Sequence, residues 1–326
     1  MAGARGGRFL AVVTDDRFGG VAEEESVFGP LGVELRVASC TSSADVAAAC
    51  ADADAVLANL APIDAAAVAS MRRCRVVSRY GVGLDNVDLD ACAARGIAVA
   101  NVPGYCDAEV AEHALALLLS LTRGVPERDA AVRGGGWNLP RPQAAVSGSV
   151  VGVAGFGGSG RAFATAVMGL RPSRLAVWSP NLTRERLDAA LGPVAAVLGV
   201  ELRAASFDEL LSESDLLSLH LRLTPETAGL FDDRAFSRLK PGARLVNTAR
   251  GGIVDSSALA RALESGRLAG AAVDVYDVEP PPPGHPLLSA PNCVLTDHSA
   301  YRSTRSITEL KRRCAENAAR ALGLLK

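Results

Sequence analysis

Residues Val150 to Leu170 read VVGVAGFGGSGRAFATAVMGL, and this stretch constrains the fold more than any other. A short apolar run (Val150, Val151, Val153, Ala154) enters Gly155-Phe156-Gly157-Gly158-Ser159-Gly160 and then a helix-compatible segment. Strand, tight glycine turn and helix, in that order, make a dinucleotide-binding unit. Gly155 permits the turn, Gly157 lets the backbone approach a pyrophosphate with no Cβ in the way, and Gly160 lets the helix close on the strand. The phosphates are expected on free N–H groups at the positive end of the helix, with Gly158 and Ser159 as donors.

Such a unit needs a parallel sheet around it, and the chain supplies alternating segments on both sides. Upstream, Phe9 to Val13, Val33 to Val37, Ala55 to Leu57, Val76 to Ser78 and Ile97 to Ala100 are short and apolar, as buried strands are. Alanine-rich segments such as Ser43 to Ala51 and Asp64 to Met71 lie between them and suit helices. A first doubly wound sheet is predicted, without a glycine fingerprint of its own. Ala108 to Arg123 then reads as an apolar helix of about four turns, buried on most of its surface, as a helix between two domains would be. Arg133 to Trp137 and Pro140-Arg141-Pro142 read as a loop leading to the glycine turn.

Downstream, Leu175 to Trp178, Leu216 to Leu219, Arg244 to Asn247, Gly270 to Val273 and Val294 to Thr296 read as strands of a second sheet, the one that carries the dinucleotide. Thr304 to Leu325 reads as a final helix returning to the first domain.

Composition narrows the partners. The 326 residues suffice for two domains, and 34 Lys and Arg against 36 Asp and Glu leave a net charge of -2, so nothing global recruits nucleic acid or an anionic membrane. The N-terminal apolar run passes directly into Thr14-Asp15-Asp16 and reads as a first strand rather than a signal peptide. No apolar run reaches the ~18 residues of a membrane span. Seven scattered cysteines with no C-x-x-C spacing indicate neither a disulfide framework nor a zinc site; no metal is expected, and reduced thiols in a cytoplasmic protein are the simplest account.

Ligands of open α/β sheets bind at the carboxyl ends of the strands, and three polar clusters fall there in the second half. They are Asn247-Thr248-Ala249-Arg250-Gly251-Gly252, Val273-Asp274-Val275-Tyr276-Asp277-Val278-Glu279-Pro280, and Leu295-Thr296-Asp297-His298-Ser299-Ala300. Singly, an arginine, a glutamate or a histidine at such a place is more often a solvated or satisfied polar residue. Together they suit one chemistry: Arg250 can hold a substrate carboxylate in a bidentate pair, His298 can exchange a proton with a hydroxyl or carbonyl, and Glu279 can fix the imidazole's tautomer and favour its protonated form.

With these blocks in place, the sequence resembles the D-isomer-specific 2-hydroxyacid dehydrogenases over nearly its whole length. The matching stretches are RYGVGLDNVDLDA (from Arg79), NVPGYCDAEVAEHALALLL (from Asn101), GFGGSG, LHLRLTPETAGL (from Leu219), LKPGARLVNTARGGIVD (from Leu239), LAGAAVDVYDVEP (from Leu268) and LTDHSAY (from Leu295). RYGVGLDNVD and NVPGYC lean toward the branch of the C-terminal-binding-protein corepressors and their bacterial enzyme relatives, near the phosphoglycerate dehydrogenases.

The resemblance implies a flavodoxin-like substrate-binding domain of residues 1–102 and 299–326, and a Rossmann dinucleotide-binding domain of residues 103–298. It implies an active site in the cleft between them and a homodimer formed through the cofactor domain. Arg250, Glu279 and His298 match the family's substrate-binding arginine, acidic partner and acid/base, with Arg250 and Glu279 29 residues apart as in the family. Val82 and Gly83 match the backbone amides that receive the substrate carboxylate, and Thr248, Ala249 and Asp274 match positions lining the nicotinamide end of the cofactor. The implied reaction is hydride transfer between a nicotinamide cofactor and a 2-oxo or D-2-hydroxy acid.

The chain departs from the family at three places. Asp297 replaces the usual proline before the histidine, and Arg222 stands where proline is frequent. At the end of the second cofactor-domain strand, where NAD enzymes usually carry an acidic residue for the ribose 2′-hydroxyl, the chain has Ser179. NAD and NADP therefore both stay open, with a slight lean to NAD, and Arg184, Arg186 or Arg222 could supply charge for a 2′-phosphate.

The Ala58 to Pro62 loop offers no basic side chain for a substrate phosphate, which counts mildly against 3-phosphoglycerate, although Arg79 is close in the chain. No room is left after the final helix for the regulatory domain of many phosphoglycerate dehydrogenases. Glyoxylate, hydroxypyruvate and larger 2-oxo acids stay open, and phosphite oxidation is a more distant option. The competing reading is a dinucleotide-sensing, corepressor-like scaffold with little turnover; an alanine-dehydrogenase-like arrangement fits worse, because it gives the Asn247 and Asp274 blocks no role.

Overall fold

The computed structural model describes residues 8–140 and 143–326; Arg141 and Pro142, read above as part of a loop, lie outside the described residues. The fold is α/β. The described residues up to Tyr105 and Ser303–Lys326 form one compact unit, and Cys106–Arg302 form a second.

In the first unit, five parallel strands alternate with helices: β1 (Leu10–Val13), α1 (Ala22–Phe28), β2 (Glu34–Val37), α2 (Ser43–Cys50), β3 (Ala55–Ala58), α3 (Ala65–Ser70), β4 (Val76–Arg79), α4 (Leu89–Ala94) and β5 (Ala98–Ala100). Their order across the sheet is β2-β1-β3-β4-β5, the flavodoxin-like order. The central strand β3 is buried at all four positions, so a continuous apolar run was the right pattern to seek. Local chemistry starts the helices: Ser42 and Asp45 form a capping box on α2, and Asp64 and Asp88 cap α3 and α4.

The last helix of the chain, numbered after those of the second unit as α12 (Thr304–Ala321), returns to this sheet. Its buried stripe Leu310, Cys314 and Ala318 repeats every four residues, and burying Leu310 alone contributes about 1.5–3 kcal/mol. Polar contacts fix the docking. Ser78 donates to the Cys314 carbonyl at 2.8 Å, Asn317 donates to the Asn101 carbonyl at 2.9 Å, and buried Lys311 pairs with Glu23 and, at 3.6 Å, with Glu24. Tyr80 donates to Glu24 at 2.7 Å.

The second unit opens with α5 (Asp107–Arg123) and α6 (Val125–Arg133) and continues with β6 (Val150–Ala154), α7 (Gly158–Met168), β7 (Arg174–Trp178), α8 (Arg184–Leu198), β8 (Glu201–Ala204) and α9 (Phe207–Glu213). It closes with β9 (Leu216–Leu219), α10 (Asp233–Arg238), β10 (Ala243–Asn247), α11 (Ser256–Glu264), β11 (Leu268–Val273) and β12 (Cys293–Leu295). The seven strands are parallel in the order β12-β11-β10-β9-β6-β7-β8, a doubly wound sheet whose direction of winding reverses at β6.

Two readings need correction. The apolar helix α5 does not need a second domain to bury it: Ala111, Ala114, Leu117 and Leu118 share a core with Val151, Phe163, Val246 and Ala272 of its own unit. The strand β8 was missed because Glu201 and Arg203 alternate with Leu202 and Ala204 at the sheet edge, leaving no apolar run.

Candidate active site

The glycine turn lies at the carboxyl end of β6. Gly155 has φ +102°, a conformation L side chains rarely adopt, and a Cβ there would overlap the His220 carbonyl. A Cβ on Gly160 would overlap the Gly155 carbonyl, which is how closely α7 seats on the strand. A Cβ on Gly157 would meet nothing, so this side of the turn is open to a ligand. No side chain caps α7, which leaves the first-turn amides of Gly158 and Ser159 for an anion. Open cradle and uncapped helix fit a pyrophosphate.

Sequence reasoning missed one group here. The Asp107 carboxylate, at the start of α5, occupies the place a Cβ on Gly158 would take. Burial raises its pKa, partly offset by the charge of Arg161.

Two strands flank β6 and carry the turn between them. The Gly155 amide donates to the Trp178 carbonyl at 2.7 Å, and the His220 amide donates to the Ala154 carbonyl at 2.7 Å. Ser179, half-buried, follows Trp178; the imidazole of His220 lies beneath the turn, bonded to Ser218 at 2.9 Å and packed on Phe163. Burial holds His220 neutral, its pKa lowered to about 3, and its Nδ1 has no partner among the described residues.

At the end of β10, the Asn247 side chain shapes the next turn by accepting from the Ala249 amide and donating to the Arg250 carbonyl, both at 3.0 Å. Thr248 and Ala249 are buried, and Thr248 Oγ1 has no partner among the described residues, a hydroxyl held ready for a bound polar group. A Cβ on Gly251 would overlap the Tyr276 backbone, so the Arg250 turn lies flush against the segment that leads to Glu279.

Glu279 and His298 meet. His298 Nδ1 lies 2.6 Å from one Glu279 carboxylate oxygen, and the Tyr276 amide donates to the other at 2.9 Å. Burial pushes the Glu279 carboxyl up, but the His298 bond and charge, the Tyr276 amide and the charge of Arg250 outweigh it and hold its pKa below the ordinary value. The His298 side chain is 38% exposed, so its ring is accessible. Its backbone has φ +53°, an unusual conformation for a β-carbon residue and one that stores strain near chemistry.

Asp274 sustains that conformation. It is fully buried; its carbonyl accepts the His298 amide at 2.8 Å, and its carboxylate accepts Thr296 Oγ1 at 2.6 Å and the Ser299 and Ala300 amides at 3.0 Å. Burial acts to raise its pKa, yet His113, Thr296 and the two amides hold it below the usual carboxylate range. Asp274, expected along the nicotinamide, therefore has its carboxylate engaged in pinning the turn that carries His298. His113 of α5, which sequence reasoning passed over inside an apolar helix, closes this network at 3.2 Å from Thr296 Oγ1. Asp297 is exposed.

In the first unit, Val82 and Gly83 follow β4. The Val82 carbonyl accepts from Asn101 at 2.7 Å, while neither residue's amide donates to any of the described residues. These two amides are free to bind an anion.

A doubly wound sheet with an open glycine cradle at its winding reversal defines a dinucleotide-binding domain, and an arginine, a glutamate and a histidine stand at the ends of three of its adjacent strands or in the loops beyond them. The model of the D-isomer specific 2-hydroxyacid dehydrogenase NAD binding domain matches residues 115–300, and the chain belongs to this family. A D-3-phosphoglycerate dehydrogenase of Archaeoglobus fulgidus is 39% identical over 244 residues, covering 74% of this chain and 44% of that protein. A glyoxylate reductase of Korarchaeum cryptofilum is 37% identical, covering 82% of this chain and 79% of that one. Among solved structures, the TT0316 protein of Thermus thermophilus superposes with a TM-score of 0.84 at 31% identity, covering 98% of each chain. The chain spans half or less of the length of the phosphoglycerate dehydrogenases it matches, 35% to 50%.

Proposed function

We propose that the protein is a nicotinamide-dependent dehydrogenase that interconverts a 2-oxo acid and a D-2-hydroxy acid. The observation that carries this reading is the 2.6 Å contact between His298 and Glu279 in the unit that holds the glycine cradle. When bound, the nicotinamide supplies or takes the hydride. Gly155, Gly157 and Gly160 shape the cradle, the Gly158 and Ser159 amides hold the pyrophosphate, Ser179 meets the adenosine ribose, and Thr248 and Ala249 lie at the nicotinamide end. NAD(H) is the coenzyme named in the matching family model.

The remaining roles belong to this chain's own side chains. Arg250 takes the substrate carboxylate in a two-point pair. The resemblance assigns the same carboxylate to the Val82 and Gly83 amides. With Nδ1 of His298 committed to Glu279, Nε2 exchanges a proton with the carbonyl oxygen, and Glu279 stabilises the imidazolium that forms in the oxidation direction. Asp274 acts through the backbone, holding His298 in its φ +53° turn.

The substrate is a small 2-oxo acid such as glyoxylate or hydroxypyruvate, in keeping with the named activity of the glyoxylate reductase relative. A second copy of the chain is the partner of the α6 face. None of the α6 residues is buried, and Val125, Val132 and Trp137, the last 81% exposed, present apolar surface that a monomer would leave in water. Seven free cysteines suit a reducing, cytoplasmic setting.

Absorbance at the reduced-nicotinamide band, with purified protein, NADH or NADPH and a panel of 2-oxo acids, tests the reading. Turnover of at least one acid is expected; absence of turnover across the panel, with dinucleotide still bound, supports a scaffold role instead.

A further inference from the structure

We propose that Arg222 makes this chain accept a coenzyme bearing a 2′-phosphate, so that NADPH binds about as well as NADH. The inference rests on the dehydrogenase reading above and names the coenzyme class that reading leaves open.

The two strands that flank the glycine turn carry the residues concerned. Trp178 and His220 bond to opposite sides of β6, so Ser179 and Arg222 are among the first residues beyond the ends of β7 and β9, one on each side of Gly155. Neighbouring strands stand about 4.8 Å apart, which puts those two ends roughly 10 Å from one another across β6, within reach of an arginine side chain to a phosphate over the turn. The adenosine ribose of a dinucleotide lies at the end of the second strand, here at Ser179.

Charge on that edge decides what the ribose can carry. An acidic residue at the Ser179 position would bond a 2′-hydroxyl and repel a 2′-phosphate; the Ser179 hydroxyl can bond either group and repels neither, and no hydrogen bond occupies it among the described residues. The three candidate arginines are distinguished by their partners. Arg184 is held by Asp188 at 2.6 Å and by the Leu202 carbonyl at 2.8 Å, and Arg186 is drawn to the Asn181 carbonyl at 2.8 Å. Arg222 is exposed, and its guanidinium makes no hydrogen bond or ion pair among the described residues. A solvated arginine at a ligand's edge, with all five donors uncommitted, matches a phosphate's geometry. Its backbone is fixed meanwhile: the Arg222 carbonyl accepts from buried Thr227 at 2.7 Å, so the residue is presented from a rigid turn.

Calorimetric titration of the intact protein with NADPH and with NADH provides the test, alongside Arg222→Ala and Ser179→Asp. The native protein should bind the two within about tenfold of one another. Arg222→Ala should weaken NADPH by about tenfold or more while moving NADH less than twofold, the size expected from one charged contact to phosphate. Ser179→Asp should weaken NADPH and spare NADH.

Native NADH binding with NADPH a hundredfold or more weaker overturns the inference while leaving the dehydrogenase reading intact, as does an Arg222→Ala variant that loses both dinucleotides equally or neither. Failure of the native protein to bind either dinucleotide overturns the dehydrogenase reading itself.

Discussion

His220 gives the structure a titratable group whose energetic effect can be worked out. Its imidazole is buried beneath the glycine turn, and desolvation lowers its pKa from 6.5 to about 3. The folded chain therefore refuses a proton that the unfolded chain accepts throughout that window. Stability from this residue is fully present above pH 6.5 and is lost as pH falls toward about 3. Each unit of pH inside the window costs about 1.4 kcal/mol, so lowering pH from 7 to 5 should cost about 2 kcal/mol from His220 alone.

His220→Gln cannot titrate. Denaturant unfolding of native and variant protein at pH 7 and pH 5, followed by the emission of Trp137 and Trp178, both in the same unit, isolates the contribution. The native protein should lose about 2 kcal/mol more than the variant between the two pH values. Equal losses would refute the claim that His220 is buried neutral.

Arg250→Ala should raise KM for the oxo acid by about tenfold or more and leave dinucleotide affinity within twofold; steady-state kinetics with parallel binding checks it. Gly155→Ala places a Cβ against the His220 carbonyl at φ +102°, and should either abolish dinucleotide binding or lower the melting temperature by several degrees, read by calorimetry with and without coenzyme. Lys311→Met leaves Glu23 and buried Glu24 without their cation and should destabilise the first unit by about 3 kcal/mol, measured by denaturant unfolding.

Much of this architecture was legible in the sequence because buried parallel strands are apolar at nearly every position, as in AVLA of β3 and LLSL of β9. The glycine turn was legible for a related reason. A φ of +102° at Gly155 and the seating of Gly160 on a carbonyl admit no other residue, so the backbone geometry is written directly in residue type. Arg250, Glu279 and His298 could be named because they fall beyond strand ends, where polar residues interrupt apolar runs.

What escaped the sequence depended on contacts between distant segments. Asp107 reaches Gly158, and His113 reaches Thr296, only after α5 packs on α7 and the sheet. Both residues occupy a helix whose apolar pattern was the louder signal. Asp274 could be placed near the nicotinamide by resemblance, yet its bonds to the Ser299 and Ala300 amides belong to the folded turn alone.

The central claim is that His298, held by Glu279, exchanges the proton while the dinucleotide cradle binds independently of it. The most direct test measures turnover of the best oxo-acid substrate by native protein and by His298→Ala, with dinucleotide dissociation constants determined on the same preparations. The account predicts turnover lower by about a hundredfold or more in the variant, with dinucleotide affinity unchanged within twofold. Near-native turnover in His298→Ala would contradict it.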